Sequence, residues 1–128
     1  EFRRVLFRSM IHRNMYVHAV PDLLTSATYY REVLGFAIHE IGDGGWRSFE
    51  REGCRIMAGH CPGSIPPGDL GDLSYFAYIV VDDAGAYYRE YASKNAEFIK
   101  HLRDEPWRMR EFGIRTIDGN RIMFGQEL

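Results

Sequence analysis

The sequence is poor in the features that define several classes of protein. Its 128 residues include two cysteines and five prolines, and no apolar run approaches the ~18 residues that suggest a membrane span. There is no CxxC pair of the kind found in zinc sites. A Gly-x-Ser-x-Gly elbow, a phosphate-binding loop and a dinucleotide-binding turn are also missing. The sequence therefore argues against a membrane protein, a zinc module, a serine hydrolase and a nucleotide-binding enzyme.

An excess of charge of one sign is also lacking. The chain has 16 Lys and Arg and 18 Asp and Glu, a formal net charge of −2. We interpret residues 1–9, EFRRVLFRS, as a leader or vector-derived segment before a natural start at Met10, because they are basic and carry no turn or cap signal. Without its three Arg and one Glu the remaining chain has a net charge of about −4, which argues against nucleic acid as a partner. Cys54 and Cys61 are interpreted as reduced thiols, which predicts a cytoplasmic protein.

Residues 10–60 predict a first module with the order β-α-β-β-β. A strand pattern over residues 15–20 stops at Pro21, and Asp22 is suited to cap a helix. Apolar residues then recur at helical spacing until Gly35. Three more strands are predicted at residues 36–41, 46–51 and 54–60.

Residues 61–73 contain three prolines and three glycines and predict a connecting loop rather than an element. Residues 74–128 then repeat the β-α-β-β-β order, with a helix capped by Asp82-Asp83. Strands are predicted at residues 74–81, 98–102, 109–115 and 121–126, with a break at residues 104–106. The pentapeptides RIMAG (55–59) and RIMFG (121–125) stand at equivalent places in the two modules, each with methionine at its centre.

Two stretches resemble a known superfamily. Val20-Pro21-Asp22-Leu23 and the following segment 29–36, YYREVLGF, resemble the opening of the vicinal oxygen chelate proteins, which include glyoxalase I, bleomycin-resistance proteins and ring-cleaving dioxygenases. Residues 105–112, EPWRMREF, resemble the Pro-Trp-Gly-x-Arg-Glu-Phe stretch of the bleomycin-resistance branch, with Arg108 where that branch has Gly. The resemblance implies an α+β fold of two βαβββ modules that form a curled mixed sheet around a cleft, with the helices outside. It also implies a homodimer.

The resemblance further implies where a metal would be held. Metal-dependent members of the superfamily use His and Glu at four strand positions, and the matching positions here are Met15, Met57, Phe76 and Met123. Hard divalent ions take oxygen or imidazole ligands, whereas thioether is soft and phenyl is no ligand. We therefore predict no metal, no cofactor and no catalytic residue at these positions. The methionines are interpreted as a flexible, polarisable wall, although plain packing in the core is the alternative.

Aromatic residues complete the predicted ligand site. Trp107 is predicted to be a stacking platform for a planar or cationic ligand, although it could also pack on its own module. The predicted wall consists of Met15, Met57, Phe76 and Met123 together with Trp46, Phe49, Trp107 and Phe112.

Three functional hypotheses remain open at this point. The first is a metal-free protein that binds and sequesters a small aromatic or antibiotic-like molecule, acting as a homodimer without nucleic-acid or membrane partners. The second is a metal-dependent enzyme of the same fold, a lyase, isomerase or dioxygenase, that uses histidines such as His18 and His60. The third is a structural or regulatory dimer with neither metal nor ligand. The first is preferred, so enzymatic activity is not expected.

Overall fold

The computed structural model describes residues 13–42 and 44–128, and the predicted leader lies outside them. The chain forms eight strands and two α-helices within this part, with one 3₁₀ helix between the modules. In order they are β1 (Tyr16–Val20), α1 (Leu23–Glu32), β2 (Ala37–Ile41), β3 (Trp46–Arg51), β4 (Cys54–His60), the 3₁₀ helix (Pro67–Leu73), β5 (Tyr75–Val80), α2 (Ala84–Ser93), β6 (Glu97–Glu105), β7 (Met109–Arg115) and β8 (Arg121–Glu127).

The strands form two four-stranded mixed sheets with the same topology. The first sheet has the order β1-β4-β3-β2 and the second the order β5-β8-β7-β6. In each sheet the first strand runs parallel to the last, as β1 does to β4 and β5 does to β8, and the other pairs are antiparallel. The predicted α+β fold and the repeated β-α-β-β-β order are confirmed.

Both helices begin where an aspartate was predicted to cap them. The carboxylate of Asp22 accepts a hydrogen bond from the Leu24 amide at 3.2 Å, and that of Asp83 accepts one from the Ala86 amide at 3.0 Å. These contacts satisfy amide groups that the first turn of a helix leaves without partners. Gly35 follows α1 with a φ of +80°, a conformation that favours glycine.

Two local predictions need correction. Strand β6 continues to Glu105 instead of ending before residue 104, because Asp104 pairs in register with Arg110 on β7 and binds its guanidinium at 2.6 Å. Pro106 therefore lies in the turn after the strand. The loop at residues 61–73 contains the 3₁₀ helix, which is interrupted at Gly71, where φ is +60°. Proline is compatible with the first turn of a helix, where Pro67 lies.

One face of each sheet packs on its own helix, and the two cores are joined. In the first module Tyr30 of α1 stacks on Phe49 of β3 with ring centroids 4.4 Å apart, and both are fully buried. In the second, Phe112 and Phe124 stack at 5.1 Å below Tyr91 of α2. The Tyr91 hydroxyl donates across the boundary between modules to the Leu34 carbonyl at 3.1 Å. The opposite face of each sheet is open.

Candidate ligand-binding faces

The first open face is the side of the first sheet that points away from α1. Alternation along β1 places Val20 in the core, fully buried, while Val17 and Met15 point outward and are 57% and 43% exposed. Beside them lies a hollow of about 480 Å³. Its lining combines thioethers with charged groups: Arg13, Met15, His39, Ile41, Ser48, Glu50, Arg55 and Met57. Glu50 pairs with Arg55 at 3.2 Å, so this face has a surplus of basic groups.

Trp46 forms the wall of a smaller hollow on the same face. Its indole ring lies over Gly59 of β4, where a Cβ atom would come within 3.0 Å of the ring. The ring is 40% exposed. The hollow of about 270 Å³ beside it is also lined by Val17 and Ala19. Glycine at position 59 therefore allows the indole to lie flat against the strand with its edge accessible.

The second open face belongs to the second sheet and carries a polar network around Glu111. The Glu111 carboxylate is almost fully buried and accepts hydrogen bonds from the Tyr78 hydroxyl at 2.7 Å, the Lys100 ammonium at 2.7 Å and the Trp107 indole at 3.2 Å. Lys100 also forms an ion pair with Glu105. With three donors on one carboxylate, this network is satisfied and holds its members in place.

The hydrogen bonds of this network stabilise the charged forms of Glu111 and Lys100. Burial acts to raise the pKa of Glu111, but the hydrogen bonds from Lys100, Tyr78 and Trp107 outweigh it and hold that pKa below its usual value. Burial likewise acts to lower the pKa of Lys100, and its two carboxylate partners raise it instead. Glu105 also binds Arg103 at 3.1 Å, so the two glutamates of this network are matched by two cations.

Trp107 is the most exposed ring of the two faces and is held from two sides. Its side chain is 60% exposed, while its indole nitrogen is bound by Glu111. The Lys100 ammonium lies 5.5 Å from the ring centroid, within the range of a cation–π contact. The indole is thus positioned before any ligand arrives, and a positioned ring loses little further freedom on binding.

Arg108 follows Trp107 in a backbone conformation that favours glycine. Its φ is +65°, a left-handed value that costs a residue with a Cβ about 1 kcal/mol. The guanidinium donates to the carbonyl of Leu128 at 3.2 Å, which fastens the turn to the chain end. The Gly expected at this position from the bleomycin-resistance pattern would adopt this turn without strain.

The four residues at the predicted metal-ligand positions lie in two separate hollows. Met15 and Met57 line the hollow of the first open face. Phe76 and Met123 line another of about 350 Å³ on the second sheet, together with Tyr75 and Tyr78. Phe76 also stacks on His18 with centroids 4.5 Å apart. Across residues 13–42 and 44–128 no group of three His, Cys, Asp or Glu side chains is placed to hold a metal ion.

The structure corrects the placement of Phe49 and Phe112. Both are fully buried on the helix side of their sheets, against Tyr30 and Tyr91 respectively. The physical reason is the two-residue period of a strand: Trp46 and Phe49 are three positions apart on β3 and therefore point to opposite faces. Of the predicted aromatic residues, Trp46, Phe76 and Trp107 remain on or beside the open faces.

His18 and His60 are among the residues that line the smaller hollow beside Trp46. The Nδ1 atom of His60 accepts a hydrogen bond from the Leu23 amide at 3.1 Å, at the start of α1. The His18 ring lies 6.2 Å from that of Tyr30, and its Nδ1 is 3.3 Å from the side-chain oxygen of Asn120. The two Nδ1 atoms therefore have separate protein partners, the side chain of Asn120 and the first amide of α1.

Tyr78, Lys100 and Glu111 were not predicted from the sequence to be parts of a candidate site. Arg110 binds Asp104, whereas Glu111 binds Lys100 on the other side of the sheet. A signal was available for Glu111. It neighbours Phe112 on a strand, so a core position for Phe112 places Glu111 on the open face.

The fold and the open faces define a class: a protein of two βαβββ modules with a helix on one face of each sheet and an open face on the other. The family model described as "Glyoxalase/Bleomycin resistance protein/Dioxygenase superfamily" matches residues 12–124. The chain belongs to this superfamily. No curated protein matches it. No helix within the described residues is long and apolar enough to cross a membrane.

Solved structures with the same fold include two antibiotic-binding proteins and one antibiotic-resistance determinant. The bleomycin-binding protein of Streptomyces verticillus, in complex with copper(II)-bleomycin, is 20% identical, with 91% of this chain and 97% of that one aligned at a TM-score of 0.72. The bleomycin resistance determinant encoded on transposon Tn5 is 19% identical over 91% and 98% of the two chains, with a TM-score of 0.74. The antibiotic-binding protein TnmS3 from Streptomyces sp. CB03234 is 20% identical over 94% and 99%, with a TM-score of 0.75.

Proposed function

We propose that this protein binds and sequesters a small, flat, largely apolar molecule of the antibiotic type, as a metal-free cytoplasmic binding protein rather than an enzyme. The observation that carries the proposal is the chemistry of the open faces. Methionine and phenylalanine occupy the positions that the resemblance assigns to metal ligands, and they line hollows on these faces. Trp46 and Trp107 are exposed on the same two faces. Such a lining suits dispersion and stacking contacts with a ligand.

The bleomycin-binding and antibiotic-binding proteins with the same fold support a ligand of this kind. Trp107 is the proposed stacking platform, because its ring is exposed and its orientation is fixed by Glu111 and Lys100. Trp46 is the matching ring on the first open face. Met57 and Met123 supply adaptable walls that accommodate ligands of irregular shape.

We further propose that two copies of the chain form a homodimer through these faces. Large apolar side chains on both open faces are 40–60% exposed, namely Met15, Val17, Trp46 and Trp107. Exposed apolar patches of this kind favour contact with a partner. The first open face carries Arg13 and Arg55 against one glutamate, whereas the two glutamates of the second face are paired with Lys100 and Arg103. A two-fold arrangement would place the first face of one copy on the second face of the other, so that two equal clefts form.

A ligand titration tests the binding function. Bleomycin without metal and a set of planar polycyclic antibiotics would be titrated while Trp fluorescence and the melting temperature are followed. We expect saturable quenching for at least one compound, weakened about tenfold or more in Trp107→Ala, since losing a stacking ring costs about 1–3 kcal/mol. Leu24→Ala, at a residue 75% exposed on α1, is the matched control.

Two further measurements separate the proposal from its alternatives. Elemental analysis of the dialysed protein is expected to show no stoichiometric transition metal, whereas one bound ion per chain would favour the enzyme hypothesis. Analytical ultracentrifugation is expected to show a dimer that Val17→Glu dissociates. A protein that stays monomeric at micromolar concentration, or in which no compound quenches Trp107, would contradict the proposed cleft.

A further inference from the structure

A separate cavity lies at the boundary between the two modules, on the helix side of the sheets. It has a volume of about 570 Å³, within the range of small-molecule sites. Its inner wall is aromatic, with Phe36, Tyr91 and Phe124 almost fully buried. Cys54 stands at its side, and Glu52 and Asp82 lie at its exposed mouth. We call it the seam cavity.

The seam cavity exists because two equivalent junctions between the modules are closed differently. Tyr30 and Tyr91 occupy the same place in α1 and α2, eight residues after the capping aspartate, and both are fully buried. Each helix also contacts the end of a hairpin in the other module, α1 through Ser26 and Asp118 and α2 through Tyr87 and Glu52. The hairpin that α1 meets has a turn of five residues, 116–120, whereas the hairpin that α2 meets has a turn of two, Glu52-Gly53.

The longer turn fills its junction with polar contacts. Ser26 of α1 donates to the carboxylate of Asp118 at 2.7 Å, and Asn120 approaches His18 at 3.3 Å. At the other junction Tyr87 donates to Glu52, and Arg51 binds Glu90 with nitrogen–oxygen distances of 2.7 and 2.9 Å. The short turn is represented in these contacts by Glu52, and the seam cavity lies beside it.

The charges around the seam cavity select the kind of ligand. Arg51 is the basic residue of the lining, and its guanidinium is already held by Glu90 and the carbonyl of Leu34. The acidic residues of the lining are Glu52, Asp82 and Asp83. An aromatic wall with a negative mouth is complementary to a molecule with a flat apolar body and a positive end.

We propose that the seam cavity is a second binding site, for a small organic amine with an aromatic body. The aromatic part would pack against Tyr91 and Phe124, and the ammonium group would lie at the mouth near Asp82. This site is independent of the proposed sequestration on the open faces, because it lies on the opposite side of the sheets and remains accessible when the open faces are covered.

Three probes of matched shape test the chemistry: 4-phenylbutylamine, 4-phenylbutanol and 4-phenylbutyrate. Two-dimensional amide NMR of the whole chain would map where each binds. We expect saturable shifts at residues 79–83, 52–54 and 87 for the amine, with an affinity at least fivefold above that of the alcohol, and no binding of the acid. Equal affinities for all three probes, or no saturable shift, would overturn the proposal.

Variants locate the site. Cys54→Phe fills the cavity and is expected to abolish amine binding. Asp82→Asn, at an exposed residue that the fold does not require, is expected to weaken it about two- to fivefold, the range for one exposed ion pair. In a Cys61→Ser background, saturating amine is expected to slow modification of the Cys54 thiol. Trp107→Ala should leave amine binding unchanged, and amine binding that this variant abolishes would assign the probe to the open faces instead.

Discussion

The indole nitrogen of Trp107 and the hydroxyl of Tyr78 donate to the same carboxylate oxygen of Glu111, at 3.2 and 2.7 Å. The other oxygen of that carboxylate accepts from Lys100 at 2.7 Å. One buried glutamate thus couples β5, β6, β7 and the turn that carries the exposed indole. The position of the proposed stacking ring depends on an ion pair inside the sheet rather than on the turn alone.

Glu111→Gln is therefore expected to lower both stability and ligand binding. The amide keeps one acceptor for Tyr78 and Trp107, but the Lys100 ammonium then faces an uncharged group. We expect the free energy of unfolding to fall by about 1–3 kcal/mol, since a buried charge loses a partner. Urea unfolding, followed by circular dichroism, measures this change in the free energy of unfolding. Glu127→Gln, at an exposed residue on β8, is the control and should change stability by less than about 0.5 kcal/mol. Equal effects of the two substitutions would show that the network contributes nothing.

Arg108 allows strain and side-chain contact to be measured separately. Arg108→Ala removes the hydrogen bond to Leu128 but keeps a Cβ at φ +65°, whereas Arg108→Gly removes both the bond and the strain. We expect the glycine variant to be more stable than the alanine variant by about 1 kcal/mol, the reverse of their order in regular structure. Thermal unfolding of the two variants side by side measures the difference. An alanine variant as stable as the glycine variant would mean that this turn is not strained.

Much of the fold follows from local signals in the sequence. Asp22 and Asp83 cap helices as their positions indicate, and the alternation over residues 15–20 correctly separates Val17 from Val20. The same alternation, applied strictly to β3, excludes Phe49 from the face of Trp46. Rules of this kind depend only on neighbours along the chain, so they hold before any tertiary structure is known.

The polar network and the seam cavity could not be read from the sequence in the same way. Lys100 meets Glu111 across β6 and β7, whose pairing is irregular on both sides of Lys100, so that regular strand spacing does not predict the contact. The cavity results from a difference between two turns that lie opposite each other only after the modules pack. The network depends on strand register and the cavity on docking between modules, and residue patterns encode neither locally.

The ion pair between Arg51 and Glu90 connects the two modules and is expected to stabilise the chain modestly. Glu90 is 37% exposed and Arg51 20%, so solvent screening limits the contribution to about 0.5–1 kcal/mol. Glu90→Gln should lower the free energy of unfolding by that amount. Glu32→Gln is the matched control, because Glu32 pairs with Arg31 on the surface, where both side chains are more than half exposed. The opposite ranking of the two variants in urea unfolding would show that the boundary pair is not coupled to folding.

His18 makes the stability of the chain depend on pH. Burial lowers the pKa of His18 from 6.5 to about 4, against a smaller opposing effect of the contact with Asn120. Between pH 6.5 and about pH 4, His18 binds a proton in the unfolded chain but not in the folded chain. The free energy of unfolding therefore falls as the pH is lowered through this range. A shift of this size corresponds to at most about 3 kcal/mol, and we expect a loss of about 2 kcal/mol from pH 6.5 to 4.5.

His18→Gln tests this prediction, because glutamine keeps a hydrogen-bonding side chain but cannot titrate. Asp118, which binds Ser26 nearby, acts in the opposite direction, since burial raises its pKa and protonation at low pH then favours the folded chain. The difference between the wild-type and variant curves removes this contribution, because Asp118 is present in both proteins. Urea unfolding at steps between pH 7 and pH 4.5 should give a wild-type curve that falls more steeply than that of the variant. Parallel curves would mean that His18 accepts its proton in the folded chain as readily as in the unfolded one, which its burial between Tyr30 and Phe76 argues against.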